Sequence, residues 1–405
     1  MFLKTFSSLT SKLTAALTIV MLVLAALPVQ PAYAATFTVT KTADTNDGAC
    51  DADCSLREAI VAANGAAGAD TITMPAGIYT LTRTGPADNN SSNGDLDITD
   101  GVGVVDITLV GAGSGTTTIT GNAGWAERIF DIQNNATVNI SGVTIRLGNT
   151  TTNGGGVNKP GTGTLTLTDT VFSNNRASQS GGAIYSNGGT INVCTTGSCS
   201  FTSNIAGTSG GAIYSAGTAN VCTNGSCSFT SNTAGNPGGG AIYFDGTTLS
   251  VSKSSFGGVG VGNTGRDGGA IFVNGGAYTI TLSTFLNNST AANRRGGALR
   301  LNTGGSIANS TFSGNSAGSG GAITAEGGNL NIYNSTFSNN TVTGAASSVS
   351  DNGATTVNLR NVILYNTANN NCAGTITNTG TNIDSGNTCF TATNGSLINT
   401  NPNLG

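Results

Sequence analysis

The chain contains no histidine, which removes Ser-His-Asp and Cys-His nucleophilic catalysis, imidazole zinc sites and histidine pH switches. Acid–base chemistry is left to carboxylates. In the repeated part of the chain these are sparse: Asp169, Asp245, Asp267, Glu326 and Asp351. Inverting glycoside hydrolysis needs two carboxyls about 6.5–9.5 Å apart, and the retaining version about 5–5.5 Å. Asp245 and Glu326 share one phase of the repeat but stand three units apart, roughly 14 Å on stacked strands. Asp267 and Arg295 each precede a Gly-Gly by one residue, so stacking makes them a surface ion pair worth under about 1 kcal/mol. A lyase needs a base beside calcium-binding carboxylates, and Arg266, Arg294, Arg295 and Arg300 have no acidic cluster near them in sequence. No catalytic residue and no cofactor site is expected.

Two loops are rich in hard oxygen ligands. One holds Asp88, Asn89, Asn90, Asn93, Asp95, Asp97 and Asp100, the other Asp44, Asp47, Asp51 and Asp53. Calcium favours such ligands, but neither loop has the D-x-[DN]-x-[DN]-G spacing, so solvated turn acids are expected. With 15 Lys+Arg against 19 Asp+Glu there is no basic surface for nucleic acid.

Residues 1–34 read as a secretory signal peptide. Lys4 and Lys12 precede a nearly continuous apolar run from Leu13 to Val29, and Ala32-Tyr33-Ala34 forms an A-x-A site, which places cleavage after Ala34. The run is short for a membrane span of about 20 residues, and no span is expected in the mature chain. All eight cysteines follow the cleavage site, as suits an oxidising compartment. Their spacing suggests local pairs: Cys50/Cys54, Cys194/Cys199, Cys222/Cys227 and Cys372/Cys389. Cys194 and Cys222 share a phase, as do Cys199 and Cys227, so bonds between units also fit the distance window. The tight Gly-Ser turns favour bonds within each loop.

The elements that position these residues come from repetition. Gly-Gly-Ala-Ile or a close variant starts at Gly181, Gly210, Gly239, Gly268, Gly296 and Gly320, with a weaker copy at Gly155, at spacings of 26, 29, 29, 29, 28 and 24 residues. Each unit carries a phenylalanine: Phe172, Phe201, Phe229, Phe256, Phe285, Phe312 or Phe337. Six of the seven continue as F-x-x-N; the Phe256 copy, FGGV, does not. Such a period means a solenoid. The runs LTLT, TITL and NLNI alternate as strands do, and eight leucines between Gly155 and Gly344 are too few for leucine-rich repeats. The fold expected is all-β: a right-handed, single-stranded parallel β-helix. Its phenylalanines would form one internal ladder and Ile184, Ile213, Ile242, Ile271 and Ile323 another. Asparagine would turn the second corner in the left-handed conformation and bond to its copy above. Ser55-Leu56-Arg57-Glu58 is a capping box opening a short helix that covers the first coil. The organisation is thus signal 1–34, N-terminal cap 35–69, β-helix 70–366 with its regular coils at 155–344, and a C-terminal cap or pre-anchor segment 367–405.

The stretch DGACDADCSLREAIVAAN (Asp47 to Asn64) resembles the CSLREA domain at the N-terminus of exported bacterial β-helix proteins. The GGA-[I/L/V] and F-x-x-N pattern resembles the repeats of polymorphic outer-membrane proteins, which are autotransporter adhesins. The tail from Asn361 is similar to segments that close such helices before a sorting anchor. No membrane-barrel pattern and no anchor is read after Gly405, so a released chain or a fragment is expected. The resemblance implies a non-catalytic extracellular or cell-surface monomer that contacts glycan or a host or matrix surface. The alternative is a polysaccharide lyase or hydrolase of the pectin-lyase-like fold, which rests on fold analogy.

Overall fold

The structure is a computed structural model that describes residues 34–85, 89–99, 106–344, 346, 348–354, 356–366 and 370–404. The signal segment before Ala34, and Asp88 and Asp100 of the acidic loop, lie outside the described residues.

Alternating apolar residues build three long sheets. A 13-stranded sheet runs from Thr36–Thr38 to Ile376–Asn378, a 12-stranded sheet from Gly77–Leu81 to Ile383–Asp384, and an 11-stranded sheet from Leu96–Ile98 to Cys372–Ala373. Successive strands of each sheet come from successive coils, and every pairing is parallel, as in Leu165↔Ile191 and Phe172↔Phe201. The chain is a parallel β-helix. The ladder opens with Thr36–Thr38, which pairs with Ala69–Met74, and continues past Asn366 into Ile376–Asn378.

Burial of the inward residues is nearly complete. The rings of Phe172, Phe201, Phe229, Phe256, Phe285, Phe312 and Phe337 are fully buried and stack with centroids 4.7–5.1 Å apart and interplanar angles of 2–6°. Leu364 extends the ladder by one coil. Ile184, Ile213, Ile242, Ile271, Leu299 and Ile323 form the aliphatic column of the 11-stranded sheet. Each coil from Phe172 to Phe337 buries one large ring, worth several kcal/mol if truncated.

The corner after the phenylalanine divides between two residues a task expected of one. The left-handed conformation falls on the residue before the asparagine: Asn174, Ser203, Ser231, Asn287, Gly314 and Asn339 all have φ between 53° and 65°. The asparagine itself turns inward. Its Nδ2 donates to the next asparagine's Oδ1 and to a phenylalanine carbonyl of the preceding coil, as Asn204 does to Asn232 (3.0 Å) and Phe172 (3.0 Å). Its own Oδ1 accepts the backbone N–H of the asparagine before it. Buried backbone groups at the corner are thereby satisfied. Asn263 fills this position in the coil of Phe256, because a four-residue insertion pushes Val259 out into solvent (90% exposed) and delays the asparagine. The ladder ends through Asn366 and Asn371 on the buried carboxylate of Asp384.

At the Gly-Gly corner the first glycine is left-handed (Gly181, φ 68°). A Cβ on the second, Gly182, would lie 2.1 Å from the Gly211 carbonyl oxygen, so both positions require glycine. Helix α1 (Leu56–Gly65) has the capping box: Ser55 Oγ accepts from Glu58 N–H and Glu58 accepts from Ser55 N–H. Disulfides join Cys50–Cys54, Cys194–Cys199, Cys222–Cys227 and Cys372–Cys389, with Cα separations of 4.4, 5.7, 5.8 and 4.8 Å.

Candidate functional site: the outer face of the 11-stranded sheet

The fifth residue of each GGAI motif follows the buried isoleucine and so points outward. These residues form a column: Asp131, Asn158, Tyr185, Tyr214, Tyr243, Phe272, Arg300 and Thr324. Tyr185 stacks on Tyr214 at 4.9 Å, Tyr214 on Tyr243 at 5.4 Å, and Phe272 meets Tyr243 edge-on at 5.1 Å. The Arg300 guanidinium caps the series 4.6 Å from the Phe272 centroid. Tyr185 and Tyr214 are half-buried, whereas Tyr243, Phe272 and Thr324 are buried, at 7, 2 and 0% exposed. Burial raises the phenols of all three tyrosines, with that of Tyr243 pushed up to about 12, aided by the charge of Asp245. They remain neutral hydrogen-bond donors across the physiological range.

Two residues further along runs a polar column, Asn187, Asp245, Asn274, Asn302, Glu326 and Asn352, interrupted by Ala216 in the coil of Tyr214. Asn274 Nδ2 donates to Asp245 Oδ1 (3.0 Å) and Asn302 Nδ2 to Asn274 Oδ1 (2.9 Å). Asp245 and Glu326 stand three coils apart in this column, separated by Asn274 and Asn302.

The arginines differ from expectation in two ways. Arg295 does not pair with Asp267 through its side chain. Only its backbone N–H reaches that carboxylate (3.0 Å), while its guanidinium contacts Glu326 (2.5 Å). Nor are the arginines without acids: Arg300 bridges Asp267 (3.2 Å) and Glu326 (2.6 Å). The reason is reach. Arg300 stands in the outward column one coil before Glu326, close enough for its long side chain to cross the rung. Burial pushes the Glu326 carboxyl upward, but hydrogen bonds from Arg300 and Arg295 outweigh this and hold it below its ordinary value. Glu326 is ionised and committed, unsuited to donating a proton.

At the other end of the column Asp95, Asp97 and Asp131 bring one carboxylate oxygen each within 4.8 Å of one another. Asp131, outside the acidic loop, could not be singled out by loop composition. Asp95 and Asp97 are buried rather than solvated, a correction to the turn-acid expectation. Arg128 Nη1 contacts Asp95 (3.1 Å) and Asp131 (3.2 Å), supplying the positive charge that a cation would bring. Burial, with the charges of Asp131 and Glu127, raises Asp95 to about 7 against the opposing pull of Arg128. In the second acidic loop the Asp44 side chain is 2% exposed and pairs with the fully buried Arg57 (2.7 Å). Asp47 and Asp51 accept backbone N–H groups two residues on, and Asp53 pairs with Lys41.

Four segments, residues 169–187, 198–216, 226–245 and 309–326, match the family model of the Chlamydia polymorphic membrane protein (Chlamydia_PMP) repeat. Each runs from a ladder phenylalanine across the asparagine and the Gly-Gly corner to the outward column. The chain is therefore a parallel β-helix that carries polymorphic-membrane-protein repeats. No curated protein and no solved structure matches it. Among the described residues no helix is long and apolar enough to cross a membrane.

Proposed function

We propose that the protein is an exported, non-catalytic surface β-helix that adheres to extracellular glycan through the outer face of its 11-stranded sheet. One observation carries this reading: a column of neutral tyrosines, partly exposed at Tyr185 and Tyr214, runs beside a column of amides and carboxylates two residues away that is interrupted only at Ala216. Aromatic edges and planar hydrogen-bonding groups at one coil spacing suit an extended, hydroxyl-rich chain. The repeats support a place at the cell surface or outside the cell. The resemblance of Asp47–Asn64 to the CSLREA domain and the signal-like N-terminus support export. Nucleic acid is not a partner in this reading, and the protein acts as a monomer.

Polysaccharide cleavage is the second reading, favoured by the raised carboxyl of Asp95 beside Asp97 and Asp131. The burial of Asp95 and Asp97 and the engagement of Arg128 weigh against it. The test is a glycan and extracellular-matrix array with the exported protein, run beside a reducing-sugar release assay. Binding that falls with Tyr214→Ala and Asp245→Ala is expected, without sugar release. Release that is lost in Asp95→Asn, Asp245→Ala, Asp267→Ala or Glu326→Ala would establish catalysis instead.

A further inference from the structure

Ala35 is the first residue after the A-x-A site. Its backbone nitrogen lies 2.7 Å from Asp70 Oδ1, and its carbonyl accepts the Thr71 N–H at 2.9 Å. Ala35 therefore fixes the edge strand Thr36–Thr38 that opens the 13-stranded sheet. Asp70 is 1% exposed, and among the described residues no lysine or arginine side chain pairs with it. A buried carboxylate facing a single amide is an incomplete arrangement, because ionised buried groups require a compensating charge. Ala34, on the other side of the Ala34–Ala35 bond, is exposed.

We propose that Asp70 is the receptor for the mature N-terminus. Hydrolysis by an export signal peptidase adds one water across the Ala34 carbonyl carbon–Ala35 nitrogen bond. This leaves a carboxylate on Ala34 and an α-ammonium on Ala35. The nitrogen that donated one neutral hydrogen bond becomes a cation with three donors at the same place, and Asp70 gains its missing counterion. Removal of the signal thus completes the first coil. The proposal rests on the export reading above, and the test separates the two.

First, N-terminal sequencing of the exported protein should begin at Ala35; a different first residue would overturn both the cleavage position and the role of Asp70. Second, a Gly-Ser insertion between Ala34 and Ala35 in the precursor leaves the exported chain with an amide at Ala35 again. The insertion should lower the Tm in the parent background and leave it unchanged in the Asp70→Asn background. Equal effects in both backgrounds, or none in the parent, would overturn the ion pair while leaving export intact. Should Asp70→Asn fail to fold, NMR of the 13C-dimethylated α-amine decides. Its pKa should lie above the ordinary 7.7–8.0 in the parent and return to that range in the inserted form; an ordinary value in the parent would overturn the pairing.

Discussion

Tyr278 occupies the space that a side chain at Gly305 would need: a Cβ there would lie 2.5 Å from the Tyr278 carbonyl oxygen and 2.6 Å from its ring carbons Cε2 and Cζ. The two residues are register partners on adjacent strands. The tyrosine is buried, and its hydroxyl has no hydrogen-bond partner among the described residues. Gly305→Ala should therefore cost about 1–3 kcal/mol by overpacking, and Tyr278→Leu should relieve the ring's share of that cost while the contact with the backbone carbonyl persists. Tyr278→Phe should stabilise the protein, because it deletes an unpaired buried hydroxyl. Urea denaturation of these three variants and of the Tyr278→Leu, Gly305→Ala double variant checks all three statements. A Gly305→Ala penalty undiminished in the Tyr278→Leu background would assign the strain to the backbone carbonyl alone.

Phe201→Ala and Phe285→Ala each remove one ring from the middle of a stack. Each should cost about 3–5 kcal/mol, read as a fall in denaturant midpoint. Melting within a degree of the parent would mean that the rings contribute little to the core.

Asn263 lies outside the F-x-x-N pattern yet makes the ladder's full set of bonds. Its Nδ2 donates to Phe229 O (2.8 Å) and Asn288 Oδ1 (2.9 Å), and its Oδ1 accepts from Asn232 N–H (3.0 Å). Asn263→Ala should thus destabilise as much as Asn204→Ala, by about 1–3 kcal/mol for each buried group left unpaired. A neutral Asn263→Ala beside a costly Asn204→Ala would show that the insertion lets water take its place.

Lys159 is buried, and among the described residues its Nζ donates only to the carbonyls of Gly161 (2.9 Å) and Gly188 (2.7 Å). Burial lowers its pKa to about 8. Below that pH the folded state carries an uncompensated charge, and between about 8 and 10.4 the unfolded state binds more protons than the folded state. Stability should rise with pH across this window, by on the order of 2–3 kcal/mol. Lys159→Met should flatten the rise in urea titrations at pH 7, 8.5 and 10. An unchanged slope would assign it to other groups.

The coils were legible because inward positions repeat in kind: phenylalanine over phenylalanine and isoleucine over isoleucine. The outward column had a signal too, since the residue after GGAI or GGAL reads Tyr185, Tyr214, Tyr243, Phe272, Arg300 and Thr324. That signal is easily missed, because the neighbour of a buried isoleucine reads as ordinary surface. Asn263 was hidden by the insertion, which breaks spacing but not position. The bridge from Arg300 to Asp267 and Glu326 depends on side-chain length across rungs, which periodicity does not encode. Asp97 and Asp131 meet as register partners on adjacent strands, with Asp95 at the start of the first, in coils that lack the GGAI and F-x-x-N signature that would have aligned them.

The asparagine ladder has a direction, since each amide donates onward and the last donor, Asn371, meets the acceptor-only carboxylate of Asp384. Interior coils are interchangeable: one inserted or deleted between Phe172 and Phe337 restores the same bonds to its neighbours. The terminal coil is not, because a carboxylate cannot pass a hydrogen bond further. Gene duplication and loss can therefore lengthen or shorten the rod upstream of a fixed stop, while its cross-section and both end structures stay the same.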